Sequence, residues 1–258
     1  MKSPQDDRKD RGCEEAGVGS GGTSSGSCLQ NSNAYPALWS ASHPAYQFDF
    51  AACSGATAGT VQSTQLTAIT AGTTLITVTA GGDPGFLPLM AACSIPTPKG
   101  DLVCGAAALV AQAAINRLVE PSLEGLYAAI KTRAASVGDS AAQLIVLGYP
   151  DFFPDNLLCV TSDSVEQAVI NKTIDVLDAA IAKAADATAG TTFVDVRPAF
   201  AAHELCSRAS WLNGSSSITQ SPHSIQTRLG KHRDMRQPWQ PSPDNQLQPL
   251  VEPQPSQT

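Results

Sequence analysis

The chain has 258 residues, of which 42% are hydrophobic and 15% charged, and it carries a net charge of −7. That length and balance suit one globular α/β domain and exclude an intrinsically disordered protein. The acidic balance leaves no basic face, so nucleic acid is not an expected partner.

Residues 1–12 read as a disordered or altered N-terminus. Met1 to Arg11 is rich in lysine, aspartate and arginine and lacks the apolar run of a secretory leader. Residues 16–27 form a glycine- and serine-rich loop. Asn33 to Trp39 opens a short helix, with Pro36 in its first turn. Phe48 to Ala52 reads as a short strand leading to Cys53-Ser54-Gly55-Ala56, and residues 60–70 as a weak helix.

The stretch Leu75 to Phe86 organises the rest. It starts as a strand, Leu75 to Thr79, with β-branched and apolar residues and no charge. It runs into Gly81-Gly82-Asp83-Pro84-Gly85, which places bare backbone at the carboxyl edge of a sheet, where open α/β sheets bind ligands. Residues 106–117 and 122–134 have helical apolar spacing, through Ala108, Val110, Ala114 and Ile115, then Leu123, Leu126 and Ile130. Gln143 to Leu147 is a continuous apolar run suited to a strand buried on both faces. Asp163 to Ala185 is the longest helix, with Asp163 as N-cap, Glu166 three residues on, and a stripe of Val165, Val169, Ile170, Ile174, Leu177 and Ile181. Thr192 to Val196 is the next strand. Alternating strands and helices predict a parallel, doubly wound sheet. Residues 231–258 are rich in proline and glutamine and read as a disordered tail. No stretch is expected to be long enough to span a membrane.

Seven cysteines stand at positions 13, 28, 53, 93, 104, 159 and 206, none in a C-x-x-C pair, which argues against zinc and thioredoxin-type chemistry. Asn171-Lys172-Thr173 and Asn213-Gly214-Ser215 are glycosylation acceptors by pattern. Together these favour an oxidising, extracellular setting. The missing leader leaves two alternatives, a cytosolic protein or an N-terminus that lies elsewhere.

Eight blocks in register carry a resemblance: Gly17-Val-Gly-Ser-Gly21, Ser27-Cys28, Asn33 to Trp39, Phe50 to Ala56, the Thr79-Ala-Gly-Gly82 turn, Val146-Leu-Gly-Tyr-Pro150, Phe193-Val-Asp-Val196, and His203-Glu-Leu-Cys206 with Trp211-Leu-Asn213. Over residues 16–223 the chain resembles the secreted lipase/esterase branch of the SGNH, or GDSL-type, hydrolases. The resemblance implies a flavodoxin-like doubly wound sheet, over a domain at 13–230, and a serine-type carboxylic ester hydrolase. It implies a monomer acting on a small-molecule or lipid ester, with no cofactor. It also implies three disulfides, Cys28–Cys53, Cys93–Cys104 and Cys159–Cys206, with Cys13 spare.

In that family a serine in a Gly-Asp-Ser-Tyr block, mounted after the first strand, attacks the ester carbonyl, and a histidine near the C-terminus takes its proton. Counting back from Gly17, the serine's place holds Cys13, whose thiolate would be the nucleophile if a histidine lies close; the alternative is an incidental thiol in an altered N-terminus. Charged residues occupy the preceding strand. The first strand is therefore expected to be missing. Gln220-Ser-Pro-His223 stands where the catalytic histidine belongs, so His223 is the expected base; His203 is the rival and reads as a packing residue. Gly55 and Gly82 are the expected oxyanion donors. The family's asparagine donor is lost, because Gly82-Asp83-Pro84-Gly85 is one residue shorter than its Gly-Asn-Asp-x-Gly, and an ionised Asp83 can only accept hydrogen bonds. Gly138-Asp139-Ser140 spells the family tripeptide but precedes a strand, so it reads as a turn. The expected activity is an impaired ester hydrolase. The alternatives are a catalytically inactive scaffold or binding protein, and an intact enzyme gene whose chain ends have been altered.

Overall fold

The computed structural model describes residues 16, 24–82, 85–93, 100–154, 164–213 and 226–227. The core sheet has three parallel strands among the described residues: β1 (Leu75–Val78), β2 (Gln143–Leu147) and β3 (Thr191–Val194). They lie in chain order with β2 central, Val78 opposite Val146 and Val146 opposite Phe193. The fold is α/β with a parallel sheet, as the alternation of elements requires. The expected strand at Phe48 to Ala52 does not form. Its backbone is served otherwise, since the Gln30 side-chain amide donates to the carbonyls of Phe50 and Ala52. Phe48 and Asp49 are exposed and Phe50 to Ala52 only half-buried, and strand propensity alone does not order a segment with no fully buried face.

The crossover from β1 to β2 passes through a short helix α1 (Phe86–Ala92) and one continuous helix α2 (Gly100–Ser136) of 37 residues. The sequence suggested two helices, divided near Pro121. They fuse because Pro121 is on the exposed side, while a single buried stripe runs past it: Ala108, Ala111, Ile115, Val119, Leu123, Leu126, Ile130 and Ala134. Burial of that stripe outweighs the backbone hydrogen bond that the proline removes. Val110, expected inside, faces out and is 70% exposed; Leu102 and Leu109 are exposed as well. Leu102–Ser136 is also long and apolar enough to cross a membrane by length and composition, contrary to the expectation from sequence. Here its inner stripe packs into the core instead.

The crossover from β2 to β3 passes through α3 (Ser164–Asp186). Helices α2 and α3 lie against each other on one face of the sheet, the arrangement that successive right-handed crossovers produce. Ile170, Ile174, Leu177 and Ile181 are buried as expected, whereas Val165 is exposed. Because the strands are parallel, each returning helix starts near their carboxyl edge. That edge carries the turn after β1, the Gly148–Phe153 segment after β2, and Asp195 to Arg197 after β3.

Two of the implied disulfides are present, Cys28–Cys53 and Cys93–Cys104, with Cα–Cα distances of 4.1 and 4.5 Å. Cys206 is also disulfide-bonded; Cys159 lies outside the described residues. Asn171 is not the free acceptor its triplet suggested. Its Oδ1 accepts the amides of Phe152 (3.1 Å) and Phe153 (3.2 Å), and its Nδ2 donates to the Phe153 carbonyl at 2.6 Å.

Candidate active site at the carboxyl edge of the sheet

The turn after β1 is pressed onto α2 by its glycines. Gly81 adopts φ +124°, and a side chain there would meet Leu123, Val119 and Ile181 at 3.3 to 3.6 Å. Gly85, at φ +107°, would place a Cβ 2.8 Å from the Ala111 Cα. Neither position tolerates a larger residue without moving helix backbone or core side chains. Phe86 then packs edge-on against Phe152, with ring centroids 5.5 Å apart.

Gly82, between them, donates its N–H to the Tyr149 hydroxyl at 3.2 Å. Tyr149 is nearly fully buried, and its own N–H donates to Asp178 Oδ1 on α3 at 2.8 Å. The carboxylate of Asp178 reaches this spot because residue 148 is glycine; a Cβ there would lie 2.6 Å from Oδ2. The Arg197 Nε is 3.7 Å from the same Oδ2. Arg197 also pairs bidentately with Asp195 and meets Asp175 Oδ1 at 2.7 Å. Three loop ends of the catalytic edge are thus tied to one buried carboxylate.

The electrostatics follow from this packing. Burial pushes the Asp178 carboxyl up to about 7, against the pull of the Tyr149 amide and Arg197. Burial also acts to raise Asp195, but hydrogen bonds from Arg197 outweigh it and hold its carboxyl below the usual range. The Asp195 carboxylate in turn raises the Arg197 guanidinium, keeping it charged.

Gly55 sits at φ +81° in a turn closed by Ala56 N–H to the Cys53 carbonyl (3.1 Å). The neighbouring Ser54 N–H donates to the Cys28 carbonyl at 3.0 Å, so the Cys28–Cys53 disulfide and the backbone hold this loop together. The helical turns that follow, capped by Thr57 on the Thr60 amide, rest on α2. Gly55 and Gly82 therefore stand on loops supported by the same helix. Cys13, Asp83, Gln220 and His223 lie outside the described residues.

His203 is engaged in packing: its ring stacks on Trp211 at 3.8 Å and its Nδ1 pairs with the Ala209 carbonyl at 2.7 Å. Gly138-Asp139-Ser140 is a turn, in which Asp139 Oδ2 accepts the amides of Gly72 and Thr73. Tyr149 lies in the Val146 to Pro150 block and Asp178 on α3, and no local motif assigns either a role. The available signal was a carboxylate set between Leu177 and Ile181 on the buried stripe of α3.

Comparison with known proteins decides what this edge belongs to. The model of the GDSL-like lipase/acylhydrolase family matches residues 16–218. The chain belongs to that family. A lipase of Streptomyces rimosus is 43% identical over 199 residues, 76% of this chain and 71% of the relative. Lipase 1 of Streptomyces coelicolor is 37% identical over 201 residues, 77% of this chain and 72% of that one. The crystal structure of the extracellular lipase of S. rimosus superposes with a TM-score of 0.73 at 39% identity, covering 83% of this chain and 89% of that chain. Phospholipase A1 of Streptomyces albidoflavus gives 0.74 at 33% identity with the same coverage. This member of the GDSL-like family is a carboxylic ester hydrolase on an SGNH-type α/β fold.

Proposed function

We propose that the chain hydrolyses acyl or lipid esters outside the cell through a nucleophile–histidine pair, Cys13 and His223, at a reduced rate. The reading is supported by the Gly17-Val18-Gly19 block, which lies within the family match over residues 16–218; counting back from that block, the family's attacking position falls on Cys13, upstream of the match itself. In this reading the Cys13 thiol gives its proton to His223 and its sulfur attacks the ester carbonyl. The tetrahedral anion is held by backbone donors, among them the Gly55 N–H. Collapse forms a thioester and expels the alcohol, which takes the proton from His223; water activated by the same histidine then releases the acid. The enzyme acts as a monomer. Secretion is supported by the disulfides and by the extracellular relative.

The rate is reduced because the asparagine donor is missing from the shortened Gly82-Asp83-Pro84-Gly85 turn and an ionised Asp83 cannot stand in for it; one lost donor removes about 3 kcal/mol of transition-state stabilisation, roughly a hundredfold in rate. The test is turnover of a short-chain p-nitrophenyl ester by the full chain. Expected are slow hydrolysis, its loss in Cys13→Ala and in His223→Ala, and a gain of about tenfold or more in Asp83→Asn. Activity untouched by Cys13→Ala would sink the dyad. A second reading, an ester-binding protein without turnover, is favoured by the commitment of the Gly82 N–H to Tyr149. It predicts saturable binding of the ester and no turnover in any of these variants.

A further inference from the structure

The polar groups behind the candidate site form a relay that the hydrolytic scheme does not use. Gly82 donates to the Tyr149 hydroxyl, and the Tyr149 N–H donates to Asp178 Oδ1. Both Tyr149 and Asp178 are buried, at 4% and 2% exposure. Gly82 is pinned twice over, since a Cβ on it would lie 3.2 Å from the tyrosine oxygen and 3.4 Å from its Cζ. The turn that must present backbone to a developing oxyanion therefore rests on the phenol of a neighbouring strand end.

We infer that Tyr149 is a positioning residue for the Gly81–Gly82 turn, and that Asp178 fixes Tyr149 and makes the turn sensitive to the charge on one buried carboxyl. This rests on the reading of that turn as part of the ester site. The geometry argues for a link rather than inert packing. An asparagine would also accept the Tyr149 amide, though more weakly, and would bring no charge into the core. The chain instead places a carboxylate whose Oδ2 has no hydrogen-bond donor among the described residues. Among the described residues its charged neighbours are Arg197, the first residue of the short helix after β3, with Nε at 3.7 Å; Asp195, just after β3; and Asp151 in the loop after β2. On α3 itself Asp175 shares Arg197.

Protonation of Asp178 weakens its hold on the Tyr149 amide and its attraction to Arg197, because a charged acceptor makes the stronger hydrogen bond. Gly148 and Tyr149 then relax away from α3, and the phenol moves with them. The Gly82 amide, bound to that phenol, reports the change at the site. Burial brings this titration to about 7, within the working range of an enzyme.

The deciding measurement uses the full chain and needs no turnover. Amide resonances of Gly82 and Tyr149 are followed by NMR from about pH 5 to about pH 9. Both are expected to shift together, with one midpoint near 7. Asp178→Asn should abolish the shift of both. Tyr149→Phe should abolish that of Gly82 and speed its amide hydrogen exchange about tenfold or more. A Gly82 resonance that ignores pH in the wild type, or still titrates in Asp178→Asn, overturns the relay. Kinetics then separate positioning from packing. Tyr149→Phe should lower kcat about tenfold with KM within about twofold, and Asp178→Asn should flatten the limb of the kcat profile near neutrality. Should KM alone move, Tyr149 is not a positioning residue. A coupled Gly82 titration in a chain that shows no turnover would uphold the relay and count against the hydrolytic reading alone.

Discussion

Gly148 and Asp178 are fitted to one another: a Cβ on the glycine would sit 2.6 Å from Oδ2 and 2.9 Å from Cγ of the carboxylate. The contact joins the end of the central strand to the middle of α3, and through Tyr149 it reaches the candidate site. Asp178 cannot simply swing aside, because its Oδ1 holds the Tyr149 amide and helix core surrounds it. Gly148→Ala is therefore expected to destabilise the fold by about 1–3 kcal/mol, as overpacking of a filled core does. Chemical denaturation measures this, and an unchanged midpoint would show that the carboxylate has room to move.

Stability should depend on pH through the same side chain. The folded Asp178 carboxyl is raised to about 7, so the native state holds a proton that the unfolded chain has lost. Its contribution is complete below the ordinary aspartate range, near about 4, and is lost as pH rises to about 7. At about 1.4 kcal/mol per unit of pKa difference, the loss is on the order of a few kcal/mol. The melting temperature of Asp178→Asn, measured against wild type, should match it below about pH 4 and exceed it above about pH 8. A constant difference across that range would contradict the burial of a titrating group.

The Cys93–Cys104 disulfide ties the end of α1 to the first turns of α2 across a separation of 11 residues. Closing a loop of that size restricts the unfolded chain by about 3 kcal/mol. Cys93→Ala with Cys104→Ala should lower stability by about that amount and loosen the start of α2 first. Hydrogen exchange of the amides near Ala107 and Ala108 would detect the loosening.

Tyr127 is the largest fully buried side chain on α2, and its hydroxyl has no hydrogen-bond partner among the described residues. Burial pushes its phenol well above the ordinary tyrosine range. An orphaned hydroxyl in an apolar core costs about 1–3 kcal/mol of desolvation. Tyr127→Phe keeps the ring and removes that burden, so it should stabilise the protein by about 1 kcal/mol and raise the melting temperature. A fall instead would show that the hydroxyl is satisfied by a bound water.

Much of this frame was legible in the residues. β2 was placed from its apolar run, and β1 to within one residue, since both have an unbroken supply of apolar and β-branched side chains. Register among the eight short blocks located the family and two cysteine pairs. Three features escaped because they depend on tertiary context. Pro121 divides a helix only where its missing donor matters, and on the solvent side of α2 the core stripe prevailed. Phe48 to Ala52 has strand composition, but Gln30 serves its backbone. The Tyr149–Asp178 link joins residues 29 positions apart, which no local pattern encodes. The Gly82 amide was expected to face the substrate, and its bond to Tyr149 arises from the same long-range contact.

The carboxamide of Asn171 doubles as a clasp on the backbone at Phe152 and Phe153. A sugar added to the triplet Asn171-Lys172-Thr173 by a eukaryotic secretion host, before the chain folds, would occupy the nitrogen this clasp needs, so correctly folded product should carry none at that position. Replacing the asparagine by glutamine, a routine precaution in such hosts, would unfasten the loop behind the catalytic edge rather than clean up a harmless sequon.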